Sequence, residues 1–315
     1  MVGLSGDAAR PVLDASPILV TGATGFIGGH LAKRLVDLGA QVHVLIRAGA
    51  DRSRLPPGTI VHEHTGDTAD LVQLTEQIDP VLAFHLATRF VGRHQPADVV
   101  PLVQDNVGFS AQLFEALARA KVRGVVTAGS AWQRAQDGSY KPAALYAAMK
   151  QAADDILTYY AGIGALRAIT LVLHDTYGAN DRREKIIPLL ERAAVNGAAL
   201  ELSPGEQRLD LVHVSDAVDA FVLAGCRLLS RSAPPREEFV VTSGDRRSLR
   251  EIAELHAKLS REYRGVGPRL LWGARAYRSN EIMDPWPGGT VLPGWMPRIS
   301  LSEGLRDLIA TPRSR

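Results

Sequence analysis

An α/β fold built on a doubly wound parallel sheet is what this 315-residue sequence predicts. Three observations carry that expectation. From Pro17 onward, short β-branched runs alternate with amphipathic segments, the signature of parallel strands joined by helical crossovers. A glycine-rich stretch, Thr21-Gly22-Ala23-Thr24-Gly25-Phe26-Ile27-Gly28, falls between the first strand and the first helix. At roughly 150 residues per domain, the length holds a sheet domain and a second, smaller unit.

Ile18-Leu19-Val20 predicts the first strand and Val42 to Ile46 the second. Between them Ile27, Leu31 and Leu35 recur at helical spacing, and Gly39 stands where a left-handed cap ends that helix. Thr59 to His64 reads as a weaker third strand, Val81 to Leu86 as a fourth, Gly124 to Ala128 as a fifth and Ala168 to Leu173 as a sixth. Helices are expected around Ala69–Ile78, Asp98–Ala120 and Ala144–Ala161. Past Tyr177 the chain grows richer in Pro, Trp and Arg. There, Leu209 to Val214 and Glu238 to Val241 are expected to rejoin the main sheet, bracketing a helix that starts near Ser215. Ser248 and Glu251 spell a capping box for a further helix. The expected organisation is a poorly ordered tail over 1–16, a dinucleotide-binding domain over 17–178 and 209–243, and a discontinuous substrate lobe over 179–208 and 244–315.

Composition narrows the function classes. Hydrophobic residues at 46% and charged residues at 22% are those of an ordinary soluble globular chain. The single cysteine, Cys226, excludes an intrachain disulfide and a zinc site of several thiolates, as expected of a reducing compartment. A net charge of +2 gives no nucleic-acid footprint. The first sixteen residues carry Asp7 and Asp14 and lack the apolar core of a signal peptide. Charges interrupt every apolar run well before the ~18 residues of a membrane span. A cytoplasmic protein is expected, with no metal, no nucleic-acid partner and no membrane.

Glycines spaced as at Gly22, Gly25 and Gly28 let the backbone turn tightly, approach a pyrophosphate and pack helix on strand, with the anion at the helix N-terminus. This predicts a dinucleotide-binding (Rossmann) fold. The second strand ends Val44-Leu45-Ile46-Arg47, with no carboxylate until Asp51. An acidic residue there suits a ribose 2′-hydroxyl, an arginine a 2′-phosphate. Arg47, helped by Arg52, therefore favours NADP(H).

Tyr146 and Lys150 lie four residues apart, hence on one helix face. A nearby ammonium is expected to lower the phenol pKa and to hold the nicotinamide ribose. Ser130 ends the fifth strand, where open sheets face their ligand crevice, and can hydrogen-bond a substrate carbonyl.

Together, the TGATGFIG loop, His85-Leu86-Ala87, Ser130, Tyr146-Ala147-Ala148-Met149-Lys150 and Tyr177-Gly178 resemble an extended short-chain dehydrogenase/reductase of the NAD-dependent epimerase/dehydratase family. The similarity runs from about Pro17 almost to the C-terminus. It implies Ser130, Tyr146 and Lys150 as catalytic residues. Gly22, Thr24, Gly25, Phe26, Ile27, Gly28, Arg47, Leu86, Ala87 and Lys150 would hold the cofactor, Asp67 would touch its adenine, and Asn106 would be structural. Members that remove water place an Asp–Glu pair directly after the catalytic hydroxyl residue, and members that both epimerise and reduce place a cysteine two positions after the serine. Here Ala131 and Trp132 stand at those positions, which leaves hydride transfer with one proton donor.

The segment from His174 to Pro188, with GEQRLDLVHVSD and YRSNEIM, resembles nucleotide-sugar 4-ketoreductases of deoxysugar biosynthesis. That resemblance implies NADPH-dependent reduction of a dTDP- or CDP-linked 4-keto-6-deoxyhexose by a homodimer. Thr88, Trp132, Asp175, Lys185, Arg208, Arg275 and Arg278 are expected around the substrate, with Arg182 and Arg183 adding charge for a diphosphate. Related enzymes often carry arginine directly before the aspartate near 210, but here Leu209 fills that place and Arg208 precedes it. His213 reads as a packed strand histidine. Two alternatives stay open: a NAD-dependent nucleotide-sugar 4-epimerase, and a non-catalytic NADP-sensing regulator, against which the intact serine, tyrosine and lysine argue.

Overall fold

The computed structural model describes residues 13–230 and 234–310. Its first half runs β1 (Pro17–Thr21), α1 (Phe26–Asp37), β2 (Gln41–Arg47), β3 (Ile60–His64), α2 (Thr68–Ile78) and β4 (Leu82–His85). Then come α3 (Val99–Val103), α4 (Phe109–Arg119), β5 (Val125–Ser130), α5 (Leu145–Gly162) and β6 (Ala168–Leu173). The second half runs β7 (Asp175–Tyr177), α6 (Ile186–Val195), β8 (Ala199–Glu201), β9 (Arg208–His213), α7 (Val214–Leu229) and β10 (Arg236–Val241). It closes with β11 (Arg246–Ser248), α8 (Leu249–Arg264), β12 (Arg269–Leu271) and α9 (Leu301–Ala310).

Seven parallel strands form the main sheet in the order β10-β6-β5-β4-β1-β2-β3. The order reverses between β1 and β4. That reversal splays the two connections apart and opens a crevice at the strand C-termini. Apolar runs such as Leu82-Ala83-Phe84 are buried because helices cover both faces. One face packs Leu31, Leu35 and Phe221 of α1 and α7; the other packs Leu71, Leu113 and Leu157 of α2, α4 and α5. No helix among the described residues is long and apolar enough to cross a membrane.

Three expectations are corrected. The strand expected at Leu209–Val214 forms as β9, but it pairs with β7 and β11 in a separate three-stranded sheet. Its alternating side chains explain the move: Val212 faces the main core, whereas Leu211 joins Tyr177, Ile187, Ile252 and Leu305 in a second core. The chain near the start is anchored from Leu13, which is wholly buried in the main core, and Ser16 accepts a backbone hydrogen bond from Gln41. The rest of the expected tail, 1–12, lies outside the described residues. Finally, the long helix expected over Asp98–Ala120 is interrupted by a wide π turn at Gln104–Gly108, which carries the buried Asn106.

A buried ionic network ties α6, α8 and α9 together. Glu191 of α6 accepts from His256 Nε2 at 2.7 Å and from Arg264 at 3.2 Å, and Arg264 Nε donates to the Ile309 carbonyl of α9. Burial pushes the Glu191 carboxyl up, but His256 and Arg264 outweigh it and hold it below the usual carboxylate range. Glu191→Gln keeps the shape and removes the charge, so urea unfolding should show about 1–3 kcal/mol lost stability. A variant as stable as the parent would mean the network contributes nothing net.

Candidate active site

The crevice is built first by glycine. Gly22 has φ +77°, a left-handed conformation, and a Cβ there would lie 2.6 Å from the Ala87 nitrogen. At Gly28 a Cβ would lie 2.2 Å from the Gly22 carbonyl oxygen, so only glycine lets α1 start this close to β1. The first turn of α1 has no side-chain cap and no acidic residue, which leaves its N–H groups to an anion. Thr21 Oγ1 bonds His85 Nδ1 at 2.7 Å and accepts from Ala87 N, stapling β1 to β4 at the sheet reversal. Burial pushes His85 down to about 3, so it serves that staple as a neutral ring.

The resulting cleft of about 1390 Å³ exceeds the ~300–1,000 Å³ of a single-ligand pocket and has room for a dinucleotide beside a second ligand. Gly22, Thr24, Gly25, Phe26, Ile27, Gly28, Leu86 and Ala87 line it, as does Arg47 at the end of β2. These residues suit a nicotinamide dinucleotide: tight backbone, an uncapped helix start and a cation at the far end.

Two residues expected here lie elsewhere. Arg52 pairs with Glu63 at 2.5 Å, and Ser53 and Arg54 line the cleft instead. Asp67 caps α2, accepting from Ala69 N at 2.7 Å and Asp70 N at 3.1 Å, and its neighbour Gly66 lines the cleft. A helix cap immediately before Thr68 competes for the same carboxylate. Neither Ser53, Arg54 nor Asp105, which accepts from Arg47 at 3.0 Å and from Arg89 at 2.7 Å, carried a signal in the sequence.

Ser130, Tyr146 and Lys150 all reach the cleft. Ser130 closes β5 and caps the short turn Ala131–Gln133. Tyr146 sits in the first turn of α5 with Lys150 one turn on, and both are buried, at 8% and 9% exposure. The expectation that an ammonium lowers the Tyr146 pKa is corrected. Burial dominates and pushes the phenol up to about 12, although hydrogen bonding with Thr88 and Ser130 and the Arg183 charge pull the other way. Tyr146 is therefore a neutral O–H donor at pH 7. Burial likewise pushes Lys150 down to about 8.

That value has a measurable consequence. Below pH 8 Lys150 is an ammonium with hydrogen bonds to donate; as pH rises past 8 that charge is lost. Dinucleotide affinity followed by calorimetry should be flat from about pH 6 to 7 and weaken above 8, and Lys150→Met should flatten the profile. A parent profile flat to pH 9.5 would exclude Lys150 as that donor.

On the other side of Tyr146, Thr88, Trp132, Asp175, Arg182, Arg183 and Lys185 line the cleft. Thr88 Oγ1 donates to the buried Asn106 at 2.8 Å, and Asn106 also ties Arg89, a structural role. Lys185 Nζ donates to Asp175 at 2.7 Å. Arg183 lies 4.4 Å over the Phe26 ring and pairs with Asp181, bridging the glycine loop to this side. Three expected arginines do not line the cleft. Arg208 donates to the Arg246 carbonyl, because β9 has left the main sheet. Arg275 is 67% exposed near Glu201, and Arg278 pairs with Glu281 and lies 5.6 Å over the Trp132 ring. Phe90 was missed: it follows β4 in an irregular loop, where neither periodicity nor motif marks it. His213 caps α7 and packs on Tyr177.

The profile of the NAD dependent epimerase/dehydratase family matches residues 18–234. The chain is 26% identical to a CDP-abequose synthase of Salmonella typhimurium over 93% of its length and 97% of the relative's. It is 28% identical to a UDP-glucose 4-epimerase of Mycolicibacterium smegmatis, covering 94% and 98% of the two chains. Identity is also 28% to a dTDP-6-deoxy-L-talose 4-dehydrogenase (NAD(P)(+)) of Kitasatospora kifunensis, covering 92% and 94%. Among solved structures, MoeE5 in complex with UDP-glucose and NAD superposes with a TM-score of 0.77 at 27% identity, over 93% of this chain and 97% of that one.

Proposed function

Because the chain belongs to the NAD dependent epimerase/dehydratase family and is a nucleotide-sugar-modifying enzyme, we propose that it reduces the 4-keto group of a dTDP- or CDP-linked 4-keto-6-deoxyhexose with NADPH. The observation that carries the reading is that Ser130, Tyr146 and Lys150 line the glycine-loop cleft together with Arg47, while Ala131 and Trp132 offer no second acid or base after Ser130. Ketone reduction needs hydride and one proton donor, and net reduction consumes the dinucleotide, for which Arg47 at the end of β2 favours NADPH.

The bound dinucleotide supplies hydride to the carbonyl carbon. Tyr146 Oη donates its proton to the developing alkoxide, Ser130 Oγ hydrogen-bonds the same oxygen, and Lys150 holds the ribose. Arg182 and Arg183, which line the cleft where Arg208 and Arg275 do not, face the diphosphate. Val100, Val103, Tyr159 and Ile163 leave apolar side chains in solvent on the adjacent α3 and α5 and their ends, which supports a homodimer through that face. Light scattering on the purified protein reports the mass.

A second reading, a NAD-dependent 4-epimerase, is favoured by the M. smegmatis relative and by Asp105, which already engages Arg47. Incubation with a panel of dTDP- and CDP-4-keto-6-deoxy sugars separates the two. Stoichiometric NADPH oxidation with a new secondary alcohol supports the reductase. Conversion of UDP-glucose without net cofactor turnover, and no ketone reduction, supports the epimerase.

A further inference from the structure

Beside Tyr146 stands a cluster that neither proton transfer nor diphosphate binding accounts for. Lys185 Nζ lies 4.5 Å from the centroids of both the Phe90 and Trp132 rings, and 2.7 Å from Asp175 Oδ1. The two rings meet edge to face at 5.6 Å, and Phe90 meets the Tyr146 ring the same way at 5.0 Å. Lys185 and Asp175 are only 19% and 22% exposed, yet both line the cleft. An ammonium held by two aromatic faces and one carboxylate is localised by three partners at once. The four side chains come from the β4 loop, the turn after β5, β7 and the start of α6, so no single element moves the cluster out of the way.

We propose that Phe90, Trp132 and the Asp175–Lys185 pair clamp the sugar ring in one orientation against Tyr146, so that reduction gives one configuration and the ring cannot turn over in the site. The proposal rests on the ketoreductase reading. The carbonyl carbon gains hydride from a reduced nicotinamide dinucleotide, its oxygen gains the Tyr146 proton, and the products are a secondary alcohol and the oxidised dinucleotide. A hydroxyl beside that carbon meets an ammonium donor and a carboxylate acceptor together. Presenting the other face of the ketone requires the ring to rotate about its link to the nucleotide. In this cleft the rotation must displace two rings that meet edge to face, Phe90 at 38% exposure among them, and break a mostly buried ion pair, whereas an epimerase must allow it in every turnover.

Two measurements test the clamp. The first is product configuration by NMR after reduction of a 4-keto nucleotide sugar with deuteride-labelled NADPH. The parent and Trp132→Phe should give a single epimer, whereas Trp132→Ala should release the second epimer at roughly a tenth or more of the product. Trp132→Ala that still reduces and yields one epimer overturns the proposal. The second is calorimetry without dinucleotide, using dTDP-glucose and dTDP. Lys185→Met should weaken dTDP-glucose about tenfold and leave dTDP within twofold of the parent. Equal weakening of both makes Lys185 a phosphate contact and also overturns it. A parent that reduces no 4-keto sugar sinks the ketoreductase reading, and the calorimetric result still decides the clamp.

Discussion

Tyr146→Phe should lower turnover by roughly 10²–10⁴ while leaving dinucleotide affinity nearly unchanged. The substitution removes one oxygen from a ring that otherwise stays packed, since Tyr146 is 8% exposed and its ring rests on Phe90. The lost atom is the one O–H of this cluster that pairs with both Ser130 and Thr88 and stays protonated at pH 7. Ser130 Oγ, an aliphatic hydroxyl and a far weaker acid than a phenol, is a poor replacement. Lys150 is the competing donor, because burial brings it down to about 8. The pH profile distinguishes them. With Tyr146 as donor, turnover at saturating dinucleotide holds as pH rises past 8. With Lys150 as donor, turnover falls above pH 8 and Tyr146→Phe keeps more than about a tenth of the parent rate. That retained activity would reassign the acid.

The sequence made the main sheet legible because its signals are local. Apolar strand runs, the glycine loop and the helical spacing of Ile27, Leu31 and Leu35 each specify structure within a few residues. What escaped was partner choice. β9 reads as one more sheet strand until Leu211 is seen to face a second core made from α6, α8 and α9. The same holds at the cleft. Residues on the glycine loop and at strand ends were placed by their elements. Asp67 was lost to helix capping and Arg208 to the departure of β9, both outcomes of competition with nearby backbone groups. Phe90, Ser53 and Arg54 came into the cleft on irregular loops, for which spacing has no meaning. Burial was equally invisible: the spacing of Tyr146 and Lys150 suggests charge–charge tuning, whereas their packing makes desolvation the larger effect on both.

Arg47→Asp should move the NADPH/NADH preference toward NADH by roughly 30- to 1,000-fold, about 2–4 kcal/mol. Arg47 ends β2 with its side chain 66% exposed, so water weakens its pull on a 2′-phosphate and the lower part of that range is favoured. Three changes nevertheless act in one direction. The cation is removed. A carboxylate arrives beside Asp105, which then keeps only Arg89 of its two guanidinium partners, and the pair repels a phosphate. The new carboxylate also accepts from the ribose hydroxyl of NADH. Ser53 and Arg54, held in a short turn by the Asp51 carboxylate, are the groups left to contact a phosphate in the variant. Specificity constants for both dinucleotides, measured for the parent, Arg47→Asp and Arg54→Ala, divide the selectivity between the two arms. A parent that prefers NADH at equal concentration contradicts the premise. If Arg47→Asp leaves the preference unchanged and Arg54→Ala removes it, the 2′-phosphate is read from the turn after β2 and not from the strand end.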